Sequence, residues 1–336
     1  MNCRVSVAAA IILAVGCPAT AWAWGATGHE WISGIAAEGL PEEIPAFVRT
    51  PEAVADIAVL GRELDRSRGS GVTHDKERDP GHFVDLDDDG TVAGLALAAL
   101  PETREAYDTA LRAKGLTQYR AGYLPFAIVD GWQQLVKDFA YWRAATVGAE
   151  KAATGEDRAW FAADRQRRER LLIRDLGVWS HYVGDASQPL HVSEHFNGWG
   201  TFPNPRSFST SKSLHAHFEG AFVRQSLDRT AVNCAVAPYR PCECSIQDRA
   251  RTLILESQAN AVPLYEIEHR NGFSKHNPEG VAFTTARLAA GASVLRDMIV
   301  DAWRASADMG VGYPMVRVRD IESGKIAPTR ALFGAD

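Results

Sequence analysis

The chain has 336 residues, 46% of them hydrophobic and 23% charged, the proportions of a globular protein and not of a disordered, fibrous or disulfide-scaffold chain. Thirty-six Lys and Arg stand against 42 Asp and Glu, a formal net charge of −6. A strongly basic surface that wraps duplex nucleic acid through its phosphates is therefore excluded as well.

Met1 to Ala23 reads as a secretory leader: Arg4 is its positive end, Val5 to Val15 its apolar run, and Ala21-Trp22-Ala23 a small-x-small cleavage site. The run is too short to span a bilayer as a stable helix. Cleavage after Ala23 leaves 336 − 23 = 313 residues beginning at Trp24, and 36 − 1 = 35 basic groups against 42 acidic ones. The destination expected is secreted or periplasmic. A second reading is a lipoprotein leader ending at Cys17, after the small residues Val15-Gly16, although Ala14 stands where Leu is usual.

Beyond the leader the periodicity is helical almost throughout. Apolar residues recur at three- and four-residue spacing in His29–Gly39 (ended by Leu40-Pro41), Leu124 to about Ala152, and Trp160 to about Pro189. They do so again in Leu214–Leu227, Ile246–His269 and Val281–Ala305. The charged stretch Asp164 to Arg170 reads as a solvated helix face. Two regions are loop-rich: Arg62–Thr91, with an acidic patch at Asp85–Asp89, and Ser193–Ser213. Val316 to Arg319 is the one short strand candidate, in a tail after Met309 that lacks helical periodicity. The expected architecture is a single compact all-α multi-helix domain over residues 24–308, its loops lining one cleft, with 309–336 a loose C-terminal extension.

Three cysteines remain after the leader, Cys234, Cys242 and Cys244, all in one short stretch. A disulfide from Cys234 to Cys242 or Cys244 suits an oxidising compartment; the rival, a metal knuckle, lacks a fourth nearby ligand.

Histidine placement carries the functional argument. His181 and Asp185 lie four apart in one helical segment, as do His215 and Glu219 in another, so each pair shares a helix face. His191 follows Asp185 by six residues, just past Pro189, and His82 and Asp65 lie in the upstream loop. One His-x-x-x-Asp pair is a common surface feature; two, with His191 close behind the first, are not. Such clusters without matching cysteines point to a hydrolytic zinc site, not a structural finger. His74, His195, His217, His269 and His276 are better explained without a metal, His195 being the nearest to the site.

Trp24-Gly25-x-x-Gly28-His29, then His181-Tyr182-Val183-Gly184-Asp185-x-x-Gln188-Pro189-Leu190-His191, then Leu214-His215-x-x-Phe218-Glu219 resemble, in order, the motifs of the trinuclear-zinc phosphoesterases. That superfamily joins the single-strand-specific nucleases of the S-one/P-one type and the zinc-dependent phospholipases C, and its fold is all-α. The resemblance implies three zinc ions: one held by Asp65, His82, His181 and Asp185; a second by His191, His215 and Glu219; and a third by the free amine and carbonyl of Trp24, with His29 and a shared Asp185. Asp56 lies in a loop comparable to that of Asp65; the pattern Asp65-x-x-Arg68 favours Asp65. In this scheme Asp65 and Arg68 are the catalytic pair. A water shared by two zincs becomes hydroxide near neutral pH and attacks phosphorus, while Arg68 contacts the phosphoryl oxygens. Arg68 also reads as a structural salt bridge.

The motifs divide on substrate. The compact Trp24–His29 spacing, Asp65-x-x-Arg68 and Phe83 beside His82 resemble the nucleases; Phe83 either stacks a base or belongs to the core. Glu219 in place of Asp, and His82-Phe83-Val84-Asp85 before an acidic turn, resemble the phospholipases C. Asn197-Gly198-Trp199-Gly200 only partly replaces the family's Gly-Gly-Asn, and Asn197 joins Phe83 as a candidate substrate contact. The expectation is a monomeric, secreted zinc phosphodiesterase acting on single-stranded DNA and RNA, with no protein partner. The alternatives are a phospholipase C acting on phospholipid headgroups and a non-catalytic periplasmic zinc-binding protein.

Overall fold

The computed structural model describes residues 24–334, and the leader reading on Met1 to Ala23 lies outside them. The described residues are 65% helix and 3% strand, a compact multi-helix body. Its main helices are α1 (Gly25–Glu38), α2 (Pro51–Leu60), α3 (Leu124–Lys151), α4 (Gly155–Ser187), α5 (Ile246–Gln258), α6 (Ala261–His269) and α7 (Pro278–Ser306). The strands form two short antiparallel hairpins: β1 (Thr91–Val92) with β2 (Leu95–Ala96), and β3 (Gly310–Val311) with β4 (Val316–Arg317). No described helix is long and apolar enough to cross a membrane.

Helices α3 and α4 form a long hairpin, and α1, α2 and α7 pack across it. Local chemistry fixes the helix ends. Thr154 Oγ1 accepts the Asp157 N–H at 3.0 Å at the start of α4, where Glu156 and Asp157 favour the positive end of the helix. Asn277 caps α7 ahead of Pro278, whose missing N–H costs nothing in a first turn. At the other end of α4, Pro189 pushes Gln188 into extended backbone and stops the helix. The first half of α4 is largely solvated, with Asp164 and Arg168 paired at 3.4 Å, while from Trp179 its residues are almost all buried. That second half carries His181 and Asp185 into the core.

Four segments depart from the sequence reading. Ile246–His269 is two helices, because Pro263 lacks the N–H that would continue α5 and α6 restarts the chain at Ala261. Leu214–Ser226 is helical but opens into a π stretch over His217–Phe222. The Arg62–Thr91 region contains short helical turns, Glu63–Arg66, Val72–Arg78 and Asp79–His82, too brief to register as periodicity. The tail is not loose: Val311, Val318 and Ile321 are buried against Ala140 and Ala144 of α3, and Phe333 packs on Phe161 at 5.6 Å. Those small alanines leave a groove that the β3–β4 hairpin and the helix after it fill.

Candidate metal centre

The second half of α4 supplies the middle of the site. The four-residue step places His181 Nε2 3.3 Å from Asp185 Oδ2, with both side chains fully buried. Asp185 is then met from three directions: His29 Nε2 of α1 lies 3.4 Å from its Oδ1, His82 Nδ1 3.1 Å from its Oδ2, and His191 Nδ1 3.7 Å from its Oδ1. His82 Nδ1 is also 2.9 Å from His181 Nε2. Asp65 faces the same group, its Oδ1 3.9 Å from His181 Nε2, whereas Asp56 is exposed on α2. The second pair, on the helix that opens into the π stretch, closes to 2.8 Å between His215 Nε2 and Glu219 Oε2, and His191 Nε2 lies 3.7 Å from the same oxygen.

The fold therefore gathers His29, Asp65, His82, His181, Asp185, His191, His215 and Glu219 into one buried cluster. Three triads within it are compact enough to share an ion: His29, Asp65 and His181; His82, His181 and Asp185; His191, His215 and Glu219. The first of these joins His29 to Asp65, whereas the sequence reading joins His29 to Asp185 and Trp24; the 3.4 Å contact keeps His29 within reach of Asp185 too.

Trp24 is fully buried at the start of α1, its indole N–H donating to Ser187 Oγ at 2.9 Å and its carbonyl accepting the Gly28 N–H at 3.1 Å. Gly25 lets the chain pass there: at φ +50°, a side chain would be strained and would meet the Glu219 carbonyl at 3.2 Å. Gly184 does the same for His29, since an added Cβ would stand 2.8 Å from its Nδ1. His29 lies stacked on His181 at 3.9 Å.

Backbone carbonyls orient the rings. Nδ1 of His181 faces the Gly61 carbonyl, that of His191 the His82 carbonyl and that of His215 the Phe196 carbonyl, each at 2.8 Å. A ring that donates Nδ1–H keeps a lone pair on Nε2, the arrangement of metal-bound histidine. Sequence reading missed these carbonyls and also missed Gln188 as a site residue. Its Nε2 lies 3.1 Å from His215 Nε2 and 3.2 Å from Glu219 Oε2, and its Oε1 accepts the Leu190 N–H. The one signal for Gln188 was a polar residue between a buried helix end and a proline.

The electrostatics are those of close-packed buried groups. Burial drives the His29 and His82 rings below the usual imidazole range. His181 is raised in spite of its burial, by the charges of Asp185 and Asp65. Against the same desolvation, Asp185 and Glu219 lift His191 to about 9. Burial opposes ionisation of Asp185 and Glu219 as well, but the histidines beside them hold Asp185 well below the carboxylate range and Glu219 at about 2. Several polar atoms still lack any hydrogen-bond partner: both ring nitrogens of His29, both carboxylate oxygens of Asp65, Asp185 Oδ1, His191 Nε2 and Glu219 Oε1. Buried nitrogen and oxygen donors converging without partners fit divalent metal ions.

Arg68 is at the rim, Nη2 3.5 Å from Asp65 Oδ1 and Nε 3.6 Å from Asp79 Oδ1. Phe83 is half-buried, its carbonyl accepting the Leu124 N–H. Asn197 follows the residue whose carbonyl holds His215, and its buried Oδ1 has no partner. Of the histidines set aside, His217, His269 and His276 are exposed and His74 is partly exposed beside Asp75; His195 is buried. The cysteine expectation is corrected: Cys242 pairs with Cys244, two residues away, and Cys234 is exposed at the end of Arg229–Cys234, outside that pair. The chain matches no family model, and no curated protein matches it.

Proposed function

We propose that this chain is a zinc-dependent phosphodiesterase of the trinuclear-zinc phosphoesterase superfamily, with that superfamily's all-α fold, exported by its leader and cutting single-stranded DNA and RNA. The observation that carries the proposal is the convergence of eight buried His, Asp and Glu side chains on donor atoms left without partners. His29, Asp65, His82, His181, Asp185, His191, His215 and Glu219 would hold the ions, with the Trp24 amine and carbonyl completing the set near His29. Bound zinc supplies Lewis acidity toward a phosphoryl oxygen and toward water.

The chain's own residues do the positioning. Asp185 stands between the histidine groups and stays ionised, so its carboxylate would be available as a ligand to a bound ion on either side. The Gly61, His82 and Phe196 carbonyls fix the His181, His191 and His215 rings with Nε2 inward. Arg68, at the rim beside Asp65, presents its guanidinium to the non-bridging phosphoryl oxygens, where charge grows during displacement. Phe83 and Asn197 lie on the segments after His82 and His191 and would take the base.

A phospholipase C is the second reading, favoured by Glu219 in place of Asp and by the motif His215-x-x-Phe218-Glu219. Phe218 is fully buried, so its place in that motif is met by core packing and does not argue for a lipid. The deciding experiment measures nucleotide release from single-stranded DNA beside phosphocholine release from phosphatidylcholine, with zinc content determined on the same protein. Nucleotide release is expected; activity on lipid alone would sink the nuclease reading. Fewer than two zincs with no diesterase activity would leave a non-catalytic zinc-binding protein.

A further inference from the structure

His195 and the acidic run Asp85–Asp89 have no part in the centre built on Asp185, yet the fold brings them together. The Leu86 carbonyl accepts the Glu194 N–H at 2.9 Å, and Gln258 Nε2 donates to the Asp87 carbonyl at 3.2 Å. The acidic loop is thereby clamped against the segment that follows His191. There, His195 Nε2 lies 3.0 Å from Asp88 Oδ1, and Asp88, Glu194 and His195 each bring a ligand atom within 4.8 Å of the others.

The imidazole is held rigidly. It is 1% exposed, stacked on Trp199 at 3.7 Å and edged by Phe202 at 4.8 Å, and the Tyr265 hydroxyl donates to the His195 carbonyl at 2.5 Å. Its Nδ1 faces the Trp199 carbonyl at 3.4 Å. A neutral ring has one N–H. If Nδ1 donates to that carbonyl, the Nε2 lone pair faces the Asp88 carboxylate; if Nε2 donates, the Nδ1 lone pair faces a carbonyl oxygen. A proton or a cation at Nε2 removes the conflict with Nδ1–H in place. A second observation is independent of the ring: Asp85 Oδ1, on the same acidic loop, is buried without a partner, and burial and the Glu194 charge push its carboxyl well above the usual range. The Asp85 carboxyl is thereby held toward its neutral form, which a cation nearby would reverse.

We propose that Asp88, Glu194 and His195 form a further divalent-cation site, separate from the centre around Asp185, that binds zinc. One imidazole and two carboxylates suit a borderline ion of that class, whereas calcium takes six to eight oxygens. The ion would tie the acidic loop to the Ser193–Trp199 segment. The Phe196 carbonyl in that segment accepts Nδ1–H of His215, so the site would also steady a ring of the main centre.

The test is the double variant Asp88→Asn with Glu194→Gln, made in the full chain, because the Asp88 side chain is 66% exposed and its change leaves the core untouched. Both proteins are saturated with zinc, freed of excess by gel filtration and analysed for metal, and amide exchange over residues 193–199 is followed with and without zinc. The variant should hold about one zinc fewer, and zinc should slow exchange there at least about tenfold more in the wild type. A His181→Ala chain, damaged at the other centre, should keep the Asp88-dependent ion, so failure of the diesterase reading leaves this proposal standing. Equal zinc content and equal protection in wild type and double variant would overturn it. So would protection by calcium with zinc inert.

Discussion

Stripping the metal is the perturbation whose size follows most directly from the site. Without ions, the Asp185 and Glu219 carboxylates draw protons onto neighbouring rings: His181 is raised and His191 reaches about 9, so at pH 7 the His191 ring is largely protonated. Zinc takes only the deprotonated ring, so loading at pH 7 should expel about one proton from His191, and none from it well above pH 9. The sign for stability follows. A ring whose folded pKa is raised contributes stability that is full below its unfolded value of 6.5 and is lost as pH climbs through 9. For His191 that contribution is on the order of 3 kcal/mol in the stripped protein. The loaded protein has no such proton to lose, so the gap in Tm between loaded and stripped forms should widen from pH 6.5 to 9. At a thousandfold excess over Kd, zinc adds about 4 kcal/mol, roughly 6 °C for a chain of this size. Calorimetric titration in two buffers of different ionisation heat counts the protons, and thermal melts at several pH values give the gap. A Tm indifferent to zinc, or loading without proton release at pH 7, would refute the reasoning.

Three substitutions bear on the same centre. His181→Ala removes a side chain common to two of the triads and should abolish turnover with loss of bound zinc; near-normal activity would defeat the assignment. Gly184→Ala drives a methyl to 2.8 Å from His29 Nδ1, and should cost about 1–3 kcal/mol from overpacking, offset by up to ~1 kcal/mol of helix propensity. Activity should fall about tenfold or more at saturating zinc, and an unchanged rate would show that His29 is not a ligand. One residue retained ahead of Trp24 turns its amine into an amide, so zinc content should drop by about one equivalent; unaltered content and rate would count against the amine as a ligand.

Much of the helical fold was legible because it rests on long amphipathic segments, as in Leu124–Lys151 and Pro278–Ser306. What escaped was short or cooperative. The Val318–Glu322 helix has one turn and owes its place to a groove of alanines on another helix, which no local period reports. Pro263 did break the Ile246–His269 pattern, but apolar spacing on both sides masked it. In the site, the His181/Asp185 and His215/Glu219 pairs were readable because a helix turns a four-residue spacing into a shared face. The carbonyl acceptors, the Gln188 contact and the clamping of the acidic loop to His195 depend on tertiary approach and leave no mark on spacing.

One competing account remains, a cluster that is only an ionic core holding the helices together. Buried ion pairs are a poor source of stability, because desolvation offsets most of their attraction unless every lone pair and proton is used. Here they are not all used: seven buried donor or acceptor atoms in the cluster make no hydrogen bond, although His29 Nε2 and Asp185 Oδ1 face each other at 3.4 Å and Arg68 reaches Asp65 Oδ1 at 3.5 Å. At about 1–3 kcal/mol for each group left unsatisfied, even a few of them are a sizeable fraction of the stability of a typical domain. Well-packed apolar residues would hold α1, α4 and the Leu214–Ser226 helix together at lower cost. A cation changes the comparison, since the orphaned atoms would become ligands and the carboxylates would define the charge of the site. The arrangement is costly as scaffolding and economical as a metal centre.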